Sequence, residues 1–335
     1  MKFRTEIDIA PLGCKIGYGS RILTVGSCFA DNMAAALAHA RFNITANPTG
    51  VMFNPASIAR TLRMFGSEMQ VQPEELAHGG ERYFDFRFHG SLADATAEGA
   101  AAKINTALRL GHEALSAASH VIITFGTAWV YELAATGEIA ANCHKQPAAM
   151  FNRRRLGTEE IVADYSDLLE KLLKDKDVIL TVSPVRHLSD GFEQNSLSKA
   201  VLRLAAEELV QRYDNVHYFP AYEIMNDDLR DYRFYADDMA HPSPRAVEYI
   251  REKFVAAAIE PHAAEFMPRA ERIVSAAEHR PANPLSDEYA AFCRRMLEEA
   301  ARAEAIQPEA DFSAEKEFFA GQLKAKTAAE DAKNL

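Results

Sequence analysis

The apolar run Ile22-Leu23-Thr24-Val25 stops abruptly at Gly26-Ser27-Cys28. From there Phe29, Met33 and Leu37 recur at i, i+4 and i+8, the spacing of one helix face. A short buried strand over residues 21–25 therefore turns directly into a helix. The turn puts a hydroxyl and a thiol at the carboxyl end of a strand and the N-terminus of a helix. Backbone N–H groups and the helix dipole favour negative charge there, which suits a thiolate or an oxyanion and depresses a thiol pKa. The same turn also suits a buried structural cysteine beside a helix-capping serine.

Three further apolar runs, residues 118–125, 178–182 and 216–219, end at Gly126, at Ser183-Pro184 and at Pro220. Runs apolar on both faces read as strands covered by helices on each side. Helical patterns lie between them at 55–64, 95–116 and 159–173. In residues 196–212, Val201, Leu202, Ala205 and Leu209 share a face. Ser243-Pro244 gives an N-cap and a first-turn proline for a helix carrying Val247, Ile250 and Phe254. The fold expected is α/β, a three-layer parallel sheet whose ligands gather at the carboxyl ends of the strands. Residues 1–260 form this domain. Residues 261–335, rich in Ala, Glu, Lys and Arg, read as a C-terminal helical extension of two or three helices. Breaks fall at Arg280-Pro281-Ala282-Asn283-Pro284 and at Gln307-Pro308, and fraying is expected from Lys324 onward. The extension is expected to serve packing or homo-oligomerisation.

A net charge of −11 argues against phosphate-backbone binding, so no nucleic acid partner is expected, although Arg153-Arg154-Arg155 suits a local anion. No apolar run approaches the roughly 18 residues of a membrane span. The start Met1-Lys2-Phe3-Arg4 has no secretory pattern. Four scattered cysteines form no CxxC pair and no zinc-site spacing, which points to a reducing cytoplasm with no metal and no cofactor. There is also no G-x-G-x-x-G and no P-loop lysine.

Asp238 and His241 stand three apart on a loop before the Ser243-capped helix, close enough for a carboxylate to orient an imidazole. An Asp holding a His, with the His serving a Ser or Cys from another loop, is the generalised triad. Several segments together resemble one family. They are Gly26-Ser27-Cys28-Phe29-Ala30, Asn47-Pro48-Thr49-Gly50, Phe53-Asn54-Pro55 and Gly126-Thr127-Ala128-Trp129. Asn142-Cys143-His144-Lys145, Ser183-Pro184-Val185-Arg186-His187 and residues 238–242 complete the set. The resemblance is to the GSCFA-domain family, grouped with the SGNH (GDSL-like) hydrolases, and it spans roughly residues 3–258. It implies a flavodoxin-like SGNH fold and an ester-directed active site.

Aligned on Gly26, the SGNH nucleophile position is Cys28, with Ser27 in place of the usual Asp; a shift of one makes Ser27 the nucleophile. The resemblance gives Asp238 and His241 as orienter and base, and Gly50 as an oxyanion-hole glycine. The Gly-x-Asn block is here Gly126-Thr127-Ala128, without its Asn, so Thr127, a backbone N–H or Asn54 would stand in. Losing one such donor costs roughly a hundredfold or more in rate. Arg186 and His187 are expected to face the cleft. In the 142–145 segment, His144 is a candidate for an anionic substrate group, although neighbours on an extended segment point to opposite faces. The function expected is an SGNH-like hydrolase or acyltransferase acting on a small-molecule or carbohydrate ester or thioester. The alternatives are a non-catalytic glycan-binding module on the same fold and a redox sensor pairing Cys28 with Cys143.

Overall fold

The computed structural model describes residues 5–333. In chain order the strands are β1 (Arg21–Gly26), β2 (Asn43–Ala46), β3 (Ala77–Gly79), β4 (Arg82–Phe84) and β5 (His120–Phe125). They continue with β6 (Trp129–Leu133), β7 (Ile139–Ala140), β8 (Phe151–Arg155), β9 (Asp177–Val182) and β10 (Val216–Tyr218). The helices are α1 (Cys28–His39), α2 (Pro55–Phe65), α3 (Ala97–Ala117), α4 (Thr158–Lys171), α5 (Phe192–Arg212) and the short α6 (Ala221–Glu223). After α6, α7 (Pro244–Ala258), α8 (Pro261–Glu278), α9 (Asp287–Ile306) and α10 (Ser313–Lys333) follow. No helix among the described residues is long and apolar enough to cross a membrane.

The chain divides into two units. The first comprises residues up to 15, 21–34 and 44–258. Its centre is a five-stranded sheet in the order β10-β9-β5-β1-β2, flanked by helices, as the sequence implied. β1 runs parallel to β5 with Gly26 opposite Thr124, and β5 runs parallel to β9 with Phe125 opposite Val182. Leu23, Val25, Val121, Ile123 and Val178 pack with Ile58, Leu62, Leu108, Tyr165 and Leu202 from the helices. The alternating residues Ile22 and Ile179 are buried as well, so both sheet faces are covered. The chain reverses its direction of travel across the sheet between β1 and β5. In a doubly wound sheet, that switch point opens a crevice at the strand carboxyl ends.

Two smaller antiparallel sheets lack a counterpart in the sequence reading. β3 pairs with β4, and β6 lies between β7 and β8 with Trp129 opposite Arg155. The arginine run 153–155 is therefore a strand. Arg153 pairs with Asp190 and lies 4.1 Å over the Trp129 ring, while Arg154 is held by Glu132 and Glu160. Trp129 is a partly exposed platform already occupied by a cation.

The second unit takes residues 16–20, 35–43 and 259 onward. Tyr18 stacks on Phe42 at 4.4 Å and meets Phe266 edge-on, and its hydroxyl donates to the Ala40 carbonyl. Tyr289, Cys293 and Phe319 form a small core between α9 and α10. The fraying expected from Lys324 onward falls on α10, which is helical to Lys333, and Lys326 within it pairs with Asp287 at the start of α9. Residues 334 and 335 of that expectation lie outside the described residues.

Candidate active site

Gly26 ends β1 at φ +144°, a backbone conformation that favours glycine, and a Cβ there would stand 2.3 Å from the Thr124 carbonyl oxygen. Its N–H donates to Asn47 Oδ1 at 2.8 Å, and Asn47 Nδ2 donates to Asp31 Oδ1 at 2.6 Å. The Met52 N–H closes on the Gly26 carbonyl at 2.9 Å. The turn is thus clamped from both sides before the helix begins.

Ser27 is 1% exposed, and its Oγ is sealed from solvent without a hydrogen bond, so it does not cap α1. Cys28 is the first residue of α1 and half-buried, with the N–H groups of Cys28 and Phe29 directed at its sulfur. The helix end does not depress its pKa as expected. Burial, and next the Asp31 carboxylate one turn into the helix, push the thiol up, outweighing those amides and the Lys199 ammonium. All four cysteines are free thiols.

The wall opposite is built by Phe53, whose carbonyl accepts the N–H groups of Gly126 (2.7 Å) and Thr127 (2.9 Å). Thr127 Oγ1 bonds Ser198 Oγ at 3.1 Å and accepts the Trp129 N–H, so this residue is fully engaged. The Gly50 N–H is taken by the Asn47 carbonyl at 2.7 Å; at φ +83° its Cα packs against the His89 side chain. Asn54 caps α2 by accepting the Ser57 N–H at 2.8 Å through Oδ1, which leaves its Nδ2 without a hydrogen bond among the described residues. Of the four candidate donors, the Asn54 amide is the one left uncommitted.

At the end of β9, the Ser183 N–H donates to the Phe125 carbonyl and the His187 N–H to Asn195 Oδ1 at 3.0 Å. The His187 ring meets Phe53 edge-on, and its Nε2 is sealed and unpartnered. Burial, helped by the Lys199 and His241 charges, lowers its pKa to about 4, against the pull of the Gly126 carbonyl. His187 is therefore a neutral imidazole lying within the electrostatic reach of His241.

Asp238 and His241 form a close pair. His241 Nδ1 lies 2.6 Å from Asp238 Oδ2, while the N–H groups of Ala240 and His241 both donate to Oδ1 at 2.9 Å. Those two amides, and then the imidazole, hold the carboxylate down at about 2. The loop is tied to the sheet by the Arg186 N–H, which donates to the Ala240 carbonyl at 3.0 Å. Neither Ser27 nor Cys28 is hydrogen-bonded to His241.

His144 stands elsewhere. Residues 142–145 form a turn and not an extended segment, with positive φ at His144 and Lys145. The His144 Nε2 reaches the carbonyls of Asp85 and Phe88, and the ring stacks on Phe84 at 4.3 Å. Burial lowers its pKa.

Sequence reasoning missed Lys199. Its ammonium is buried beside the crevice and donates to the carbonyls of Gly126 (2.6 Å) and Ser183 (2.7 Å), joining the ends of β5 and β9. Burial lowers its pKa to about 7, the Cys28 and Asp190 charges opposing. A signal existed: Asn195, Ser198 and Lys199 precede Leu202 by seven, four and three residues, so they extend its buried stripe with polar groups.

Fold and site together define an α/β protein that gathers a Ser-Cys turn, an Asp–His pair and a buried lysine at the carboxyl side of a doubly wound sheet. The chain belongs to the GSCFA family: the model of that family matches residues 21–254, and the model described as the GSCFA domain protein, C-terminal domain matches residues 270–325. No curated protein matches the chain.

Proposed function

We propose that this protein is a hydrolase or acyltransferase of the SGNH type that cleaves an ester or thioester through Cys28. His241 Nε2 takes the thiol proton as sulfur attacks the acyl carbon, and returns it to the departing alkoxide or thiolate. Water or an acceptor hydroxyl then attacks the acyl-thioester with the same base and regenerates the thiol. Asp238 fixes the imidazole with Nε2 outward. The Cys28 N–H and Asn54 Nδ2 hold the oxyanion.

The observation that carries this reading is the Asp238–His241 pair, in which both carboxylate oxygens are spent on orienting one loop and one ring. The raised thiol fits it as well, because a cysteine that keeps its proton needs a base. The sealed Ser27 Oγ favours Cys28 as the nucleophile over its neighbour.

One observation favours a non-catalytic binding module instead. The N–H groups of Gly126, Thr127 and Ala128, where an oxyanion donor would be sought, are all already bonded. The test is covalent labelling of the native protein with a fluorophosphonate and a chloroacetamide, adducts mapped by mass spectrometry, beside His241→Ala. Labelling at Cys28 that falls sharply in the variant supports the enzyme. Labelling equal in both proteins, at the rate of the denatured chain, overturns it in favour of the binding module.

A further inference from the structure

We propose that Arg186 is the receptor for an oxyanion, a carboxylate or phosphate presenting two oxygens, carried by the substrate of the Cys28–His241 site. The inference rests on the acyl-transfer reading and adds to it the chemical class of the substrate.

Arg186 sits where such a group would be held. Its backbone N–H donates to the carbonyl of Ala240, the residue before His241, so the guanidinium springs from the segment that positions the base. The Tyr235 ring lies 3.8 Å from its central carbon, with Tyr232 at 5.2 Å and Phe192 at 5.9 Å. Aromatic stacking occupies the faces of a guanidinium and leaves its N–H edge, the part that binds a carboxylate or phosphate bidentately. The Tyr235 hydroxyl hydrogen-bonds with this edge, while Nη1 is sealed from solvent and makes no hydrogen bond.

Charge strengthens the case. The chain carries 48 acidic residues against 37 basic ones, so carboxylates are in surplus. Arg153, Arg154 and Arg203 all have carboxylate partners. Among the described residues no carboxylate is ion-paired with Arg186, whose ring neighbours are Tyr235, Tyr232 and Phe192. Nη1 is a cationic donor sealed from water with no acceptor, which is unfavourable, and a ligand oxyanion relieves it. Phe192 and Tyr232, both more than 60% exposed, extend beyond the guanidinium as apolar rims. They fit a substrate whose anion is flanked by carbon.

Matched alkylating agents test this directly. Cys28 is alkylated with anionic iodoacetate and neutral iodoacetamide, and the rate ratio is compared with that of glutathione. The expected ratio for the native protein is roughly tenfold above glutathione, the scale of one charge-assisted contact. It falls toward the glutathione value in Arg186→Gln and is only partly kept in Arg186→Lys, which retains the charge but loses the planar fork. A native ratio equal to glutathione's, or an elevated ratio unchanged in Arg186→Gln, overturns the proposal. Should Arg186→Gln not fold, competition on the native protein decides. Millimolar inorganic phosphate must slow the iodoacetate reaction more than chloride at equal ionic strength, and equal slowing overturns the assignment. If iodoacetamide labelling of Cys28 is indifferent to His241→Ala, the acyl-transfer reading fails on its own, whatever the ratio.

Discussion

The imidazole of His241 is held by Asp238 through a 2.6 Å contact, and the same carboxylate takes two backbone N–H groups of its own loop. Loop and ring are therefore oriented by one side chain. Asp238→Asn is expected to slow His241-dependent labelling of Cys28 by roughly a hundredfold, the scale of lost general-base assistance. A chloroacetamide rate within twofold of the native protein would show that the pair is structural. The carboxylate's pKa is depressed to about 2, so its stabilising effect is complete above the ordinary carboxylate range and is lost as pH falls through about 2. The acid limb of thermal stability below pH 4 is expected to be shallower in the variant.

His187 supplies a second pH signature. Folding lowers its pKa from 6.5 to about 4, so between those values the unfolded chain binds the extra proton. Stability therefore falls as pH drops from 6.5, and the loss is complete near 4. Replacing His187 by Gln is expected to remove this component. The native protein's Tm relative to the variant should decline from pH 7 to pH 4.5, and a constant difference would contradict the assignment.

Lys199 acts at the other end of the scale. Its folded pKa of about 7 lies below the ordinary 10.5, so the folded state binds fewer protons between those values and stability rises with pH. In Lys199→Met that rise is expected to be missing, read as a native-minus-variant Tm difference that grows from pH 7 to 9.5.

The β1–α1 turn has one backbone solution. Gly26→Ala forces a Cβ into the Thr124 carbonyl at a φ that L-residues avoid, and it is expected to cost about 3–5 kcal/mol. Urea unfolding measures it directly; a loss under 1 kcal/mol would mean that the turn relaxes.

The three inner strands were legible because strands covered on both faces are apolar throughout: Leu23 to Val25, Val121 to Ile123 and Val178 to Val182. The Asp238–His241 pair was legible because both partners lie on one short loop. β6 was not, since Trp129-Val130-Tyr131-Glu132 pairs with an arginine strand whose charges read as a surface cluster. Lys199 escaped because its partners are carbonyls of two distant strand ends, and backbone acceptors carry no residue identity. The thiol's environment escaped for a related reason: the dipole is visible in a strand–helix turn, whereas burial and the approach of Asp31 are set by packing.

The second unit draws on residues 16–20 and 35–43, which bracket the Ser-Cys turn in the chain, together with residues from 259 onward. On the ribosome these two brackets emerge early, and Tyr18 must wait for Phe266 to be synthesised before its ring has a partner. The two brackets find the rest of their unit only once the chain from residue 259 onward has been made. A nascent chain halted before that segment would carry all five strands of the sheet, while residues 16–20 and 35–43 still lacked the greater part of the unit to which they belong.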